Sequence, residues 1–215
     1  MKLVFGIMFG LWAAAAQACD TALVLTIDVS NSIDPGEYRL QTDGLADALE
    51  DAEIVDAMVK GEVAVTVVQW SGADRQQVMI PWTRVRTALD AQALALEARV
   101  MPRAFVLSDT APAEAIFFSL RLFDEVPDCK SKVIDVSGDG TPNSGRETRD
   151  ARNAAETAGV TINGIAIESM GMAITNFYRG SIITRNGFVM TARTHRAYPE
   201  TIRRKIIREL SQALG

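Results

Sequence analysis

Short runs of apolar, β-branched residues alternate along this chain with longer stretches in which apolar positions recur every three or four residues. Residues 22–27 (ALVLTI), 63–68 (VAVTVV), 132–136 (KVIDV) and 160–167 (VTINGIAI) are the first kind, most with little polar alternation. Such runs suit parallel strands covered on both faces. Helical periods fall at 37 to about 59, 87–100, 112–123, 147–158 and 199–214. In the second of these, Leu89, Ala93, Leu96 and Val100 form the expected buried stripe. In the last, Ile202, Ile206, Ile207 and Leu210 form the packed face, with Arg203, Arg204, Lys205 and Arg208 largely on the solvated one. Residues 77–80 read as a short edge strand, and 169–196 receive no assignment. The alternation predicts an α/β fold with a doubly wound, mostly parallel central sheet and helices on both faces.

The first eighteen residues follow a different pattern. Lys2 is the only charge, an apolar stretch runs from Leu3 to Ala16, and Ala16-Gln17-Ala18 offers small residues for cleavage. This predicts a secretory signal peptide over 1–18 and one domain over 19–215. The apolar stretch is shorter than the ~20 residues that cross a bilayer. A lipid-anchored Cys19 is the second reading, since Ala16 and Gln17 fit a lipoprotein signal poorly. The expected destination is an oxidising compartment outside the cytoplasm, periplasmic or extracellular, where disulfides persist and Cys19 and Cys129 are available to pair.

Composition narrows the class. With 48% hydrophobic and 23% charged residues in 215, one full core can form and disorder is excluded. The whole chain carries a formal charge of −5, and losing Lys2 with the signal leaves −6, which does not suit a nucleic-acid binder.

The chemistry concentrates at two predicted strand ends. In "TIDVSNSIDPGEY", Asp28, Ser30 and Ser32 follow the first strand two residues apart, while Asp34, Pro35 and Glu37 supply an N-cap, a first helical residue and a capping box. The helix start therefore leaves Asp28, Ser30 and Ser32 without a capping role. "VIDVSGDGTPN" brings Asp139, between Gly138 and Gly140, to the end of the fourth strand. In a doubly wound sheet ligands gather beyond the carboxyl ends of strands. Carboxylates and hydroxyls are hard donors that suit Mg²⁺, or Mn²⁺ or Ca²⁺, and not zinc.

These residues resemble the von Willebrand factor A-like family, whose metal-ion-dependent adhesion site combines Asp-x-Ser-x-Ser, a distant Thr and an Asp-Gly after the fourth strand. Asp28-Val29-Ser30-Asn31-Ser32 matches the first element, Thr110 in "SDTAPAEAI" the second and Asp139-Gly140 the third. The phrases "TIDVSNS", "VVQWSG", "VIDVSGDG" and "TINGIAI" extend the resemblance over nearly all of the chain after the signal, as a secreted bacterial branch. It implies Ser30, Ser32 and Thr110 as direct metal ligands, with Asp28 and Asp139 acting directly or through water. In the family's sheet the first and fourth strands are parallel neighbours, which implies a Cys19–Cys129 disulfide at their amino ends. Asn31 replaces a small residue and is tolerable because Asn visits left-handed conformations more readily than most residues. Ser108-Asp109 replaces the glycines often found before the Thr, and Asp109 is expected to cap the next helix.

Other candidates receive structural readings. Asp135, inside the fourth strand, is read as a satisfied interior carboxylate whose partner is unknown. His195, the only histidine, is read as solvated, and Trp70, Trp82 and Phe177 as packing residues. The implied function is a protein-binding module in which the cation takes an Asp or Glu side chain of a partner. Two site carboxylates roughly balance the cation and do not strongly repel that anion. The competing classes are a metal-dependent hydrolase of the phosphatase type, for which Ser30 stands where an acid-base Asp is needed, and a scaffold whose metal is purely structural. No phosphate-cradling loop or Ser-His pair supports catalysis.

Overall fold

The computed structural model describes residues 19–213, so the expected signal segment and its cleavage lie outside the described residues. Its strands are β1 (Thr21–Asp28), β2 (Ala64–Trp70), β3 (Gln76–Arg84), β4 (Ser131–Gly138), β5 (Thr161–Ile167) and β6 (Val189–Ala192). They form one sheet in the order β3-β2-β1-β4-β5-β6, with β3 antiparallel and all other pairings parallel. Every residue of β1 and β2 is buried, as continuous apolar strands covered on both faces require.

Alternation along the strands sorts the core into two layers. Leu23, Leu25 and Ile27 of β1 join Val65, Val67, Ile165 and Ile167 on one face. There they meet α1 (Pro35–Leu49), α2 (Ala52–Lys60), α3 (Ala88–Val100) and α7 (Tyr198–Ala213). Ala22 and Val24 join Val68, Trp70, Ile134 and Val136 on the other face, under α4 (Pro112–Leu122), α5 (Thr148–Thr157) and α6 (Ala173–Phe177). The helices on both faces make the sheet doubly wound, and strand order reverses between β1 and β4.

Several boundaries differ from the periodicity. The single helix expected at 37–59 is two, because the Asp51 carboxylate accepts from the amides of Glu53 and Ile54 and starts a new helix. The edge strand is nine residues long, since pairing with β2 extends it through Arg84. The unassigned stretch holds α6, a π-helical turn at Tyr178–Ile182, β6 and a short 3-10 turn at His195–Ala197.

The stripe assigned to α3 faces the wrong way. Leu89, Leu96 and Val100 are 74%, 61% and 69% exposed, and the core side is Ala91, Leu94, Ala95 and Ala98. The helix is apolar nearly all round, so its sequence offers two stripes, and the smaller side chains were chosen where α3 meets α1.

Lys205 is likewise not on the solvated face. It is fully buried, with Nζ 2.7 Å from Asp135 Oδ2 and 2.5 Å from Glu209 Oε1. Asn163 Nδ2 donates to the same Glu209 oxygen at 2.7 Å. Asp135 thus has an ion-pair partner in Lys205 but is not fully satisfied, since its Oδ1 has no partner among the described residues; β4 and α7 are joined across the core by one cation between two carboxylates. Burial pushes the Asp135 carboxyl up, Lys205 opposes this and Glu209 adds to it.

At the amino ends of β1 and β4, Lys130 N donates to Cys19 O and Ser131 N to Asp20 O. Cys19 and Cys129 are disulfide-bonded there, with Cα atoms 4.3 Å apart.

Candidate metal centre

The opposite end of the same two strands holds the candidate site. Asp28 is the last residue of β1 and is fully buried. Its Oδ1 accepts from the Ser30 amide at 2.7 Å, a local bond of the kind a strand-end Asp makes. Ser30 Oγ lies 3.2 Å from Ser32 Oγ, and Ser32 Oγ donates to Asp139 Oδ1 at 2.6 Å. The chain turns from strand to α1 through these residues because Asp34 and Glu37 complete the reciprocal cap, at 2.8 and 2.9 Å, with Pro35 in the first turn.

Thr110 approaches from the loop before α4. Its amide donates to Asn143 Oδ1 at 2.8 Å and its carbonyl accepts from the Asn143 amide at 3.0 Å, which clips it to the loop after β4. A Cβ built on Gly140 would lie 3.7 Å from Thr110 Oγ1, so the hydroxyl borders the Asp139-Gly140 turn. The Asn31 amide donates to Ser108 O at 3.0 Å, and Arg103 Nη2 donates to the carbonyls of Val29 and Ser30, both at 2.8 Å. Asp28, Ser30, Ser32, Thr110 and Asp139 are therefore carried by three loops tied to one another at the ends of β1 and β4.

Gly138 is needed for close approach. A Cβ there would meet Tyr178 Oη at 2.7 Å and Asp28 Oδ2 at 2.9 Å. Those two oxygens are buried and have no hydrogen-bond partner among the described residues. A buried, unpartnered carboxylate oxygen is costly. Burial pushes the Asp28 carboxyl up to about 7, with Asp139 adding to the rise against the opposing Ser30 bonds. The donors fit a small hard cation: one such ion would satisfy Asp28 Oδ2 and draw on the neighbouring hydroxyls. Among the described residues, no group of three or more His, Cys, Asp or Glu is arranged to hold a metal, so any cation here depends on hydroxyl oxygens.

One expectation about the loops needs correction. Asp109 is exposed and does not cap α4, whose N-cap is Ala111 without a side-chain bond; the backbone carbonyl of Asp109 instead accepts from Ser71 Oγ at 3.0 Å. Asn31 is not left-handed; the non-glycine residues with positive φ among those described are Glu62 and Leu107.

His195 is also not a solvated histidine. Its side chain is 14% exposed, with Nδ1 2.9 Å from Glu37 Oε1 and Nε2 3.7 Å from Asp139 Oδ2. It lines a cavity of about 770 Å³ beside the site, together with Ser32, Glu37, Asp139 and Glu168. Sequence reasoning also missed Arg103 and Tyr178, which no local pattern marks. Trp70 is fully buried, and Trp82 Nε1 donates to Leu122 O at 3.0 Å, so both are packing residues.

The sheet order and its helices give the fold seen in solved von Willebrand factor A-type structures. The proximal thread matrix protein 1 of the mussel byssus, in a form with a zinc-occupied adhesion motif, superposes with a TM-score of 0.67 at 18% identity, covering 91% of this chain and 49% of that one. A von Willebrand factor type A protein from Catenulispora acidiphila gives 0.63 at 17%, covering 91% and 43%. The corresponding domain of the type V pili tip protein Mfa5 from Porphyromonas gingivalis gives 0.60 at 11%, covering 91% and 97%. The chain spans about half the length of the mussel protein. Over residues 18–214 it matches the family described as protein of unknown function DUF1194, and it belongs to that family. No curated protein matches its sequence.

Proposed function

We propose that this protein is a metal-dependent protein-binding module of the bacterial cell envelope. Asp28, Ser30, Ser32, Thr110 and Asp139 hold a divalent cation, Mg²⁺ by the hardness of the donors with Mn²⁺ or Ca²⁺ as substitutes. The bound ion supplies an open coordination position that takes an Asp or Glu side chain of a partner protein. The carrying observation is Asp28 Oδ2, buried and without a hydrogen-bond partner, beside the linked hydroxyls of Ser30 and Ser32.

The chain's own residues do the rest. Ser32 orients Asp139, Arg103 fixes the turn that presents Ser30, and Asn143 fixes the backbone of Thr110. Val106 and Leu107, in the loop that carries Thr110, are 60% and 85% exposed, and Met170 after β5 is 87% exposed. Apolar side chains at the strand ends that carry the polar site suit a protein surface. The mussel byssus and pilus-tip neighbours are named for matrix and pilus roles, which supports binding over catalysis for this chain. Among the described residues no helix is long and apolar enough to cross a membrane. The expected signal peptide places the domain in the periplasm or outside the cell.

Affinity capture from envelope extracts with Mg²⁺, and again with chelator, tests this reading. A partner retained only with Mg²⁺, and released by free aspartate or glutamate peptides, is the expected result. A partner that survives complete metal removal identifies the metal as purely structural.

A further inference from the structure

The two oxygens of Asp139 face different neighbours. Oδ1 accepts from Ser32 Oγ at 2.6 Å and belongs to the hydroxyl cluster. Oδ2 faces His195 Nε2 at 3.7 Å, too far for a hydrogen bond. Nε2 is buried and has no hydrogen-bond partner among the described residues.

Glu37 stands at the other ring nitrogen. Its Oε2 is engaged by the Asp34 amide in the cap of α1, and its Oε1 lies 2.9 Å from His195 Nδ1. Nδ1 thus has a carboxylate beside it, and Nε2 is the ring nitrogen left without a protein partner. A carboxylate behind the distal nitrogen is also how metal-bound histidines are oriented and made more basic. Nε2 and Asp139 Oδ2 lie 3.7 Å apart with no hydrogen bond between them. First-row cations bind imidazole nitrogen and carboxylate oxygen at about 2.0–2.2 Å. Two ligand atoms 3.7 Å apart subtend an angle of about 120° at such an ion, near that of a tetrahedral site.

From this geometry we infer a second cation site, with His195 Nε2 and Asp139 Oδ2 as protein ligands, which takes a zinc-class ion. Imidazole suits Zn²⁺, Cu²⁺ or Ni²⁺ and not Mg²⁺. Glu168, which lines the same cavity, is not a ligand: its oxygens accept from the amides of Thr175 at 2.7 Å and Ile174 at 3.4 Å. The remaining positions go to water or to a partner's carboxylate, and they open into the cavity beside the site. Asp139 would thus bridge two cations of different chemistry. The inference rests on the Mg²⁺ reading only in sharing that carboxylate.

His195 is the chain's only histidine, so wild-type protein prepared without a polyhistidine tag reports on it directly. Zn²⁺ is titrated into ¹⁵N-labelled protein with excess Mg²⁺ and again without it, and the imidazole nitrogen signals are followed. The expected result is a shift of Nε2 complete at one equivalent of Zn²⁺, the same with or without Mg²⁺. His195→Gln should weaken Zn²⁺ binding at least tenfold in calorimetry while Mg²⁺ binding stays within about twofold. An Nε2 signal unmoved by Zn²⁺ overturns the site. A shift that excess Mg²⁺ abolishes also overturns it, since one shared site would then hold either ion. A protein that binds no Mg²⁺ but shows the imidazole shift would keep this site and refute the proposed function.

Discussion

Ser32 Oγ donates to Asp139 Oδ1 at 2.6 Å across 107 residues of sequence. The bond joins the turn after β1 to the end of β4, where strand order reverses and a doubly wound sheet leaves room for a ligand. It is also where removal of a single group should affect metal binding without touching the core.

Replacing Asp28 or Asp139 by Ala should abolish or greatly weaken Mg²⁺ binding while leaving the protein folded. Neither carboxylate belongs to the two apolar core layers, and Asp28→Ala gives up one local bond, from the Ser30 amide to Oδ1, together with an oxygen that has no hydrogen-bond partner among the described residues. Calorimetric Mg²⁺ titration with far-UV circular dichroism checks both halves. Wild-type protein that binds neither Mg²⁺ nor Mn²⁺ at millimolar concentration would end the adhesion-site reading.

The buried ion cluster predicts an order of stabilities. Asp135→Ala leaves Lys205 still paired with Glu209, so its cost should be about 1–3 kcal/mol. Lys205→Met leaves two buried carboxylates without their cation, which should cost about 3–5 kcal/mol. Urea unfolding of the two variants gives the comparison, and Mg²⁺ affinity should change little in either. Equal costs would mean that Asp135 and Glu209 do not share the ammonium.

Without metal, the protein should be less stable at higher pH. Asp28 has an ordinary value of 3.8 and is raised to about 7 by burial. Between those values the native state holds a proton that the unfolded chain has released, so stability present below about pH 4 is lost as pH rises through 7. From about pH 5 to pH 8 the loss from this group should be roughly 3 kcal/mol. Asp51, Asp90, Glu114 and Asp128 are lowered by their partners and stay ionised over that window. Melts in chelator should therefore fall between pH 5 and pH 8, Mg²⁺ should restore stability at pH 8, and Asp28→Asn should flatten the slope. The remainder belongs to Asp135, raised in the same direction by burial. A rise in melting temperature over that window contradicts the assignment.

Reduction should destabilise the domain without removing metal binding. The disulfide closes a sequence separation of 110 at the end of the sheet opposite the site. Chain-entropy reasoning gives a loss of about 4–5 kcal/mol for a loop of this size. Denaturant midpoints with and without reductant measure it, and a Cys19→Ser, Cys129→Ser variant should bind Mg²⁺ with wild-type affinity.

The sequence by itself determined the strand and helix alternation, the doubly wound class and the strand-end positions of Asp28, Ser30, Ser32 and Asp139, because these follow from local periodicity and from which residues cap a helix. The Asp34-Pro35-Glu37 cap was legible for the same reason: its bonds span three residues. Only the tertiary structure decided which stripe of α3 is buried, since Leu89, Ala93, Leu96 and Val100 and the Ala91-Leu94-Ala95-Ala98 set are both apolar and packing against α1 chose between them. It alone decided that Lys205 leaves the solvated face to meet Asp135, 70 positions away, and that His195 turns toward Glu37 and Asp139. Both are contacts between distant segments, whose energy depends on burial and partner geometry that no window of neighbouring residues contains.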